Sequence, residues 1–485
     1  MTVFDQLLRI EIADLFVPVQ GGTVNDVVIN IDQVNGLESF PNIVPVTNFV
    51  KDFLSNYPNP DDFYENISKN VTAEIFNNAE TLGLAGTVDS VSIELIREPI
   101  ATLPYPFVSQ SIETSTGNTD QLTILQFKDL VIPVQGGTVG SATISLDYVD
   151  NLDSFPNIVP LTNFTRDFLT NYPNPDDFYE DVTQNLTDGI INNAEELGLA
   201  GAIDSVSLEL RRGPNTGLPH PFFTTSISSP GSSSEQLVRV EFEDLFVPVQ
   251  GGTVNDVVIN IDQVNGLESF PNIVPVTNFV KDFLSNYPNP DDFYENISKN
   301  VTAEIFNNAE TLGLAGTMDS VSIELIREPI ATLPYPFVSQ SIETSTGNTD
   351  QLTKLQLDDL VIPVQGGTVG SATISLDYVD NLDSFPNIVP LTNFTRDFLT
   401  NYPNPNDFYE DVTQNLTETI LNNAEELGLA GTLDSVSVKL RRGPNTGLPH
   451  PFFSKSTAIP TELSNNALTS EALEILPQDF PMILP

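Results

Sequence analysis

The chain has 485 residues, with 18 basic against 66 acidic side chains, a net charge of −48, two histidines and no cysteine. Disulfides and cysteine-ligated metal sites are thereby excluded, as is a three-histidine metal site within one chain. So large a negative charge argues against nucleic acid and anionic membrane as partners, because phosphate is repelled. It favours cationic partners, or serves solubility alone.

Hydrophobic content is 40% and charged content 17%, the balance of a globular chain. The N-terminus, MTVFDQLLRIEIADL, lacks a basic stretch followed by a long apolar core. No signal peptide is read from it, and a cytoplasmic location is expected. No apolar run approaches the roughly 18 residues of a spanning helix.

Self-similarity dominates the chain. The triplet FYE places a glutamate every 115 residues, at Glu65, Glu180, Glu295 and Glu410. Four tandem repeats follow from this spacing: residues 7–120, 121–235, 236–350 and 351–456, with a flexible tail at 457–485. Their order is ABAB. Asp14 to Thr123 matches Asp244 to Thr353 with one change, Val88 to Met318. The even repeats differ at more sites, among them Lys128 against Asp358 and Glu209 against Lys439.

In the second repeat, Leu122 to Val134 is β-rich and ends at the turn signal Gln135-Gly136-Gly137. Ala142 to Tyr148 alternates apolar and polar residues, the mark of a half-buried strand. Leu161, Phe164, Phe168 and Leu169 share one helical face. A long helix is then predicted from Asn174 as N-cap, with Pro175 at the first helical position and Asp176 and Asp177 in the first turn. Phe178, Val182, Leu186, Ile190 and Ala194 give it an apolar stripe, and Gly198 and Gly201 end it. Ser205 to Leu210 alternates again, and Phe222 to Ser228 is a candidate fourth strand. The fold class is therefore α+β, with four tandem β-β-α-α-β-β units.

This order resembles the tunnelling fold, or T-fold, whose members include pterin and purine enzymes. The local echo lies nearest to the nitrile reductase of queuosine synthesis. LTNFTRDFLTNYPNPDDFYEDVTQNL followed by VSLELRRGP stands where that family has two helices, a Phe-His-Glu triplet and a strand ending in Arg-Gly-Gly. The resemblance implies sixteen strands closed into one barrel with helices on one face. It also implies that the triplet glutamate grips a planar nitrogen heterocycle between repeats. Tyr179 and Tyr409 stand beside that position in the even repeats. The family's catalytic cysteine has no counterpart.

Glu180 sits two residues from Phe178, off the predicted stripe, so a solvated first-turn carboxylate is the plainer expectation. Arg211, Arg212, Arg441 and Arg442 are candidates to clamp an anionic ligand, or else balance acidic neighbours. With Ile96-Arg97-Glu98 in the odd repeats, such a site is expected in even repeats only. His220 and His450 lie in LPHPF where odd repeats have LPYPF, which points to a structural ring and not to a general base. The Asp61-Asp62 and Asp176-Asp177 pairs lack calcium-loop spacing. No metal or cofactor is expected. The expected function is a non-catalytic scaffold or small-ligand-binding ring, with self-association by ring stacking open. The alternative is a purine- or pterin-type enzyme with sites between repeats.

Overall fold

In a computed structural model, the chain is an α+β protein built on one closed antiparallel barrel of sixteen strands. The structure describes residues 4–460 apart from short segments, chiefly 35–41, 98–106, 214–221, 328–336 and 444–451. His220, His450, Glu98 and nearly all of the predicted tail, including Ala472 to Leu476, lie outside the described residues.

The barrel strands, in chain order, are β1 Phe4–Ile12, β2 Asp26–Gln33, β3 Val88–Arg97 and β4 Phe107–Thr114. Next come β5 Thr119–Phe127, β6 Gly137–Tyr148, β7 Ile203–Arg212 and β8 Phe222–Ser228. The second half repeats the scheme with β9 Glu235–Phe242, β10 Asp256–Gln263, β11 Met318–Arg327 and β12 Phe337–Thr344. It ends with β13 Thr349–Leu357, β14 Gly367–Tyr378, β15 Leu433–Arg442 and β16 Phe452–Ala458. Each strand pairs with the next in sequence, and β16 returns to β1 with Phe4 opposite Ala458. Closure leaves the barrel without an edge strand. Short three-residue arms add hairpins near one end, such as Ile132–Val134 on β6.

Between β2 and β3 lie α1 Val44–Ser55, α2 Tyr64–Asn77 and the short α3 Ala79–Leu82. The corresponding pairs are α4 Val159–Thr170 with α5 Tyr179–Asn192, α6 Val274–Ser285 with α7 Tyr294–Asn307, and α9 Val389–Thr400 with α10 Tyr409–Asn422. The short α8 Ala309–Leu312 follows α7. Helix α2 packs on β3, β4 and β5, so it reaches across from its own quarter of the barrel to the next.

Strand alternation explains the two faces. Val91, Ile93 and Leu95 of β3 and Ile144 and Leu146 of β6 are buried under helices. The intervening residues, such as Asn30, Glu94, Thr143 and Glu209, face the other way. Sixteen strands about 4.8 Å apart make a barrel roughly 24 Å across or wider. The helix pairs are too bulky to fit inside it, so they form the outer layer and the polar residues line the lumen.

The predicted helix start is corrected. Helix α5 begins at Tyr179, not Pro175, with Phe178 extended at φ −71° and ψ 164° as its N-cap. Asp177 accepts hydrogen bonds from the Tyr172 hydroxyl at 2.6 Å and from the Asn174 amide, which holds the preceding residues in a turn. The Phe178 N–H donates to Asp181 Oδ2 at 3.0 Å. Polar residues read as helix caps are used by the turn instead. The helix also ends early, at Asn192, and Gly198 and Gly201 take positive φ in the turns that follow.

One backbone crossing needs glycine. A Cβ on Gly140 would lie 2.3 Å from Gly213 Cα, and one on Gly370 2.4 Å from Gly443 Cα. Both contacts are backbone on backbone and cannot relax by side-chain rotation. Gly140→Ala and Gly370→Ala are each expected to cost about 1–3 kcal/mol in denaturant unfolding. Gly189→Ala, on a helix with a side chain as nearest neighbour at 3.4 Å, is expected to be neutral or stabilising by up to ~1 kcal/mol. Equal loss at all three positions would refute the crossing as the cause.

Candidate functional site

Helices α2, α5, α7 and α10 each carry two stripes on their buried face. In α5 one stripe is Tyr179, Val182, Leu186 and Ile190, and the other is Glu180, Thr183 and Thr187. The second stripe is polar and buried. It meets hydroxyls on the strand beneath: Ser68 with Ser109 at 3.0 Å, Thr72 with Ser111 at 3.1 Å and Thr413 with Ser454 at 2.8 Å. Small hydroxyls there satisfy one another and let the helix sit close to the sheet.

The four glutamates stand at the head of these stripes and are 2–3% exposed. The expectation of a solvated first-turn carboxylate is therefore wrong. Phe178 lies outside the helix as its N-cap, Tyr179 leads the apolar stripe, and the buried face is wide enough to take in Glu180. Burial pushes the Glu65, Glu180 and Glu295 carboxyls up to about 7 and that of Glu410 up to about 8.

The seams between quarters are of two kinds. At the first and third, Thr123 Oγ1 of β5 donates to Glu65 Oε1 at 3.0 Å, and Thr353 of β13 does the same for Glu295. Buried Tyr148 and Tyr378 lie close to these glutamates, which raises the phenol pKa further once burial has done so. At the other two seams the threonine position holds Val238 or Leu8, and the tyrosine position holds Gln263 or Gln33. Gln6 faces Gln33 and Gln236 faces Gln263 across the ladder, all buried. Among the described residues, the amide groups of Gln6, Gln33 and Gln263 find no hydrogen-bond partner.

An arginine closes each strand that follows a helix pair. Arg97, Arg212, Arg327 and Arg442 share one place in the element order, while the residue before each is arginine only in the even repeats, Arg211 and Arg441, and isoleucine in the odd ones. The four that share one place face the helices. Arg97 lies 5.5 Å from the Phe107 ring centroid, and Tyr64 meets the same ring edge-on at 5.1 Å. Arg212 and Tyr179 are neighbours, as are Arg442 and Tyr409. Burial lowers each guanidinium pKa and raises each phenol pKa. Arg211 and Arg441 alternate to the other face and line the lumen. The structure thus divides the predicted arginine pairs: one member packs beside the tyrosine, the other points into the barrel.

One mouth of the lumen is acidic. Asp147 is pushed up to about 7 by burial, then by Asp120 and Asp204. Asp377 is raised to about 7 by burial, then by Asp350 and Asp434. Among the described residues, no group of three or more acidic or histidine side chains is arranged to hold a metal. The Asp62 and Asp177 carboxylates are taken up by Tyr57 and Tyr172 hydroxyls. Two cavities, of about 300 and 440 Å³, lie away from the glutamates, the first lined by Ile75, Phe76 and Leu84.

No family model matches the chain, and no curated protein matches it. Among solved structures, a bacterial polysaccharide outer membrane secretin aligns at 7% identity over 94% of this chain and 97% of that one. The TM-score is 0.18, too low for the likeness to bear on fold or function.

Proposed function

We propose that the chain is a ring of T-fold type, four copies of one unit closed within a single polypeptide, acting as a non-catalytic scaffold. One observation carries this reading. The glutamates that would grip a ligand are built into the seams, each beneath its own helix, and two of them accept a threonine hydroxyl from the neighbouring quarter. The reactive groups used in the resembling family are also missing: there is no cysteine, and no lysine recurs at one place in all four quarters. The outward strand face is buried beneath helices, which favours a ring in water over a barrel facing lipid. No helix among the described residues is long and apolar enough to cross a membrane.

The second reading is a purine- or pterin-type enzyme with sites between quarters. It is favoured by the buried amides of Gln6, Gln33 and Gln263, polar groups of the kind that recognise a heterocycle edge. Calorimetry with guanine-, pterin- and urate-like compounds separates the two. No saturable binding at millimolar concentration is expected. Binding that falls more than tenfold, about 1.4 kcal/mol, in the Glu180→Gln/Glu410→Gln variant would establish the second reading instead.

A further inference from the structure

We propose that the lumen wall of the fourth quarter is an anion-binding site for a small molecule carrying several phosphate groups. The inference goes beyond the scaffold reading and does not rest on the T-fold likeness. It starts from a comparison within the chain. The second and fourth quarters share most of their residues, yet Ile124, Glu209 and Thr225 of the second are Lys354, Lys439 and Lys455 in the fourth. All three positions face the lumen. Every charge change on that wall is toward positive, in a chain with 66 acidic residues.

The lysines share one face of neighbouring strands. Lys439 and Lys455 stand directly opposite each other on β15 and β16. Like charges so placed repel unless something anionic lies between them. Lys439 Nζ lies 4.1 Å from the Phe453 ring centroid, and Arg441 and Arg9 flank Phe453 on the adjoining strands. Lys354 stands across β14, opposite Ser375, and Ser375 is opposite Ser437. Hydroxyl donors therefore lie between the cations, as phosphate oxygens require. Lys455 is solvent-exposed, and neither it nor Lys354 makes an ion pair among the described residues.

The equivalent place half a turn round the barrel acts as an internal control. There Arg211 and Arg239 lie beside Glu209, and Arg239 pairs with Glu241 at 3.0 Å. At the fourth quarter, Lys439 takes the place of Glu209 and Lys455 that of Thr225, while Glu11 and Glu94 are both engaged by Arg9 at 3.3 Å. The three substitutions move this wall toward positive charge relative to its counterpart. A lumen wall also concentrates that field, because low-dielectric protein surrounds it.

The test is calorimetric titration of the full chain with inorganic tripolyphosphate at about 50 mM salt, where attraction is little screened. One saturable site per chain is expected. Lys354→Ile/Lys439→Glu/Lys455→Thr places the second quarter's own residues on the same framework, so the fold should persist. This variant should bind at least tenfold more weakly. The reverse variant, Ile124→Lys/Glu209→Lys/Thr225→Lys, should gain a second site. Lys128→Asp/Lys281→Glu, exposed and outside the lumen, should bind as the wild type does. The proposal is overturned by no wild-type binding at millimolar tripolyphosphate, by unchanged binding in the lumen variant, or by equal loss in the control.

Discussion

Raising the pH from about 5 to about 8.5 is expected to lower the melting temperature by roughly 10 °C. The cause is the set of four buried glutamates. Their folded pKa values, about 7 for three of them and about 8 for Glu410, lie above the ordinary 4.5. The folded state therefore holds protons that the unfolded chain has released. Their stabilising contribution is fully present below pH 4.5 and is lost as pH rises through 7 to 8. Each shift corresponds to about 3 kcal/mol, so four give on the order of 10 kcal/mol. A chain of this length changes by about 1 kcal/mol per degree near its midpoint. Asp147 and Asp377 titrate in the same window and act in the same direction, more weakly because they are partly solvated.

General charge repulsion also grows with pH in so acidic a chain, and a second variant separates the two effects. Glu65→Gln/Glu180→Gln/Glu295→Gln/Glu410→Gln keeps the shape and removes the buried ionisation. Its melting temperature should fall much less steeply between pH 5 and 8.5, by the share left to surface repulsion and to Asp147 and Asp377, and should exceed the wild type's at the upper end. A variant that retains the wild-type slope would assign the effect to the surface, and the glutamates would then be bystanders.

What the sequence made legible was the periodic part. The α+β class and the alternating strands such as Ala142 to Tyr148 rest on local patterns, and both appear in the structure. The helix start is not legible in the sequence because Asn174, Pro175 and Asp177 have the same chemistry in a turn as at a cap. Val182, Leu186 and Ile190 belong to the buried face as expected, but Tyr179 and not Phe178 heads it, and the face is wide enough to include Glu180. Thr183 and Thr187, at helical spacing from Glu180, were the available signal for a second, polar buried stripe. The partners of Glu65 and Glu295 were not readable. Thr123 and Thr353 lie 58 residues away from them on a neighbouring quarter, and only barrel closure brings them together. The inward position of Lys439 was likewise hidden, although its difference from Glu209 was plain.

An excised single quarter, residues 121–235, is expected not to persist as a folded monomer. Cutting there opens β5 and β8, which in the intact chain are paired throughout. The ladder between β4 and β5 runs from Phe107 opposite Leu125 to Glu113 opposite Thr119, and that between β8 and β9 from Phe222 opposite Val240 to Ile227 opposite Glu235. Two open edges with apolar outward faces seek partners. Val238 of β9 holds the position from which Thr123 bonds Glu65 at the first seam, so without β9 the Glu180 carboxyl should gain water and its pKa should fall. Two outcomes fit: aggregation, or assembly into rings of four that restore sixteen strands. Sedimentation distinguishes these from a monomer, and in the ring the Glu180 carboxyl should again titrate near 7. A monomer that unfolds cooperatively and shows an ordinary Glu180 titration would mean that a quarter is self-sufficient. Closure of the barrel would then be an arrangement of finished domains and not the source of their stability.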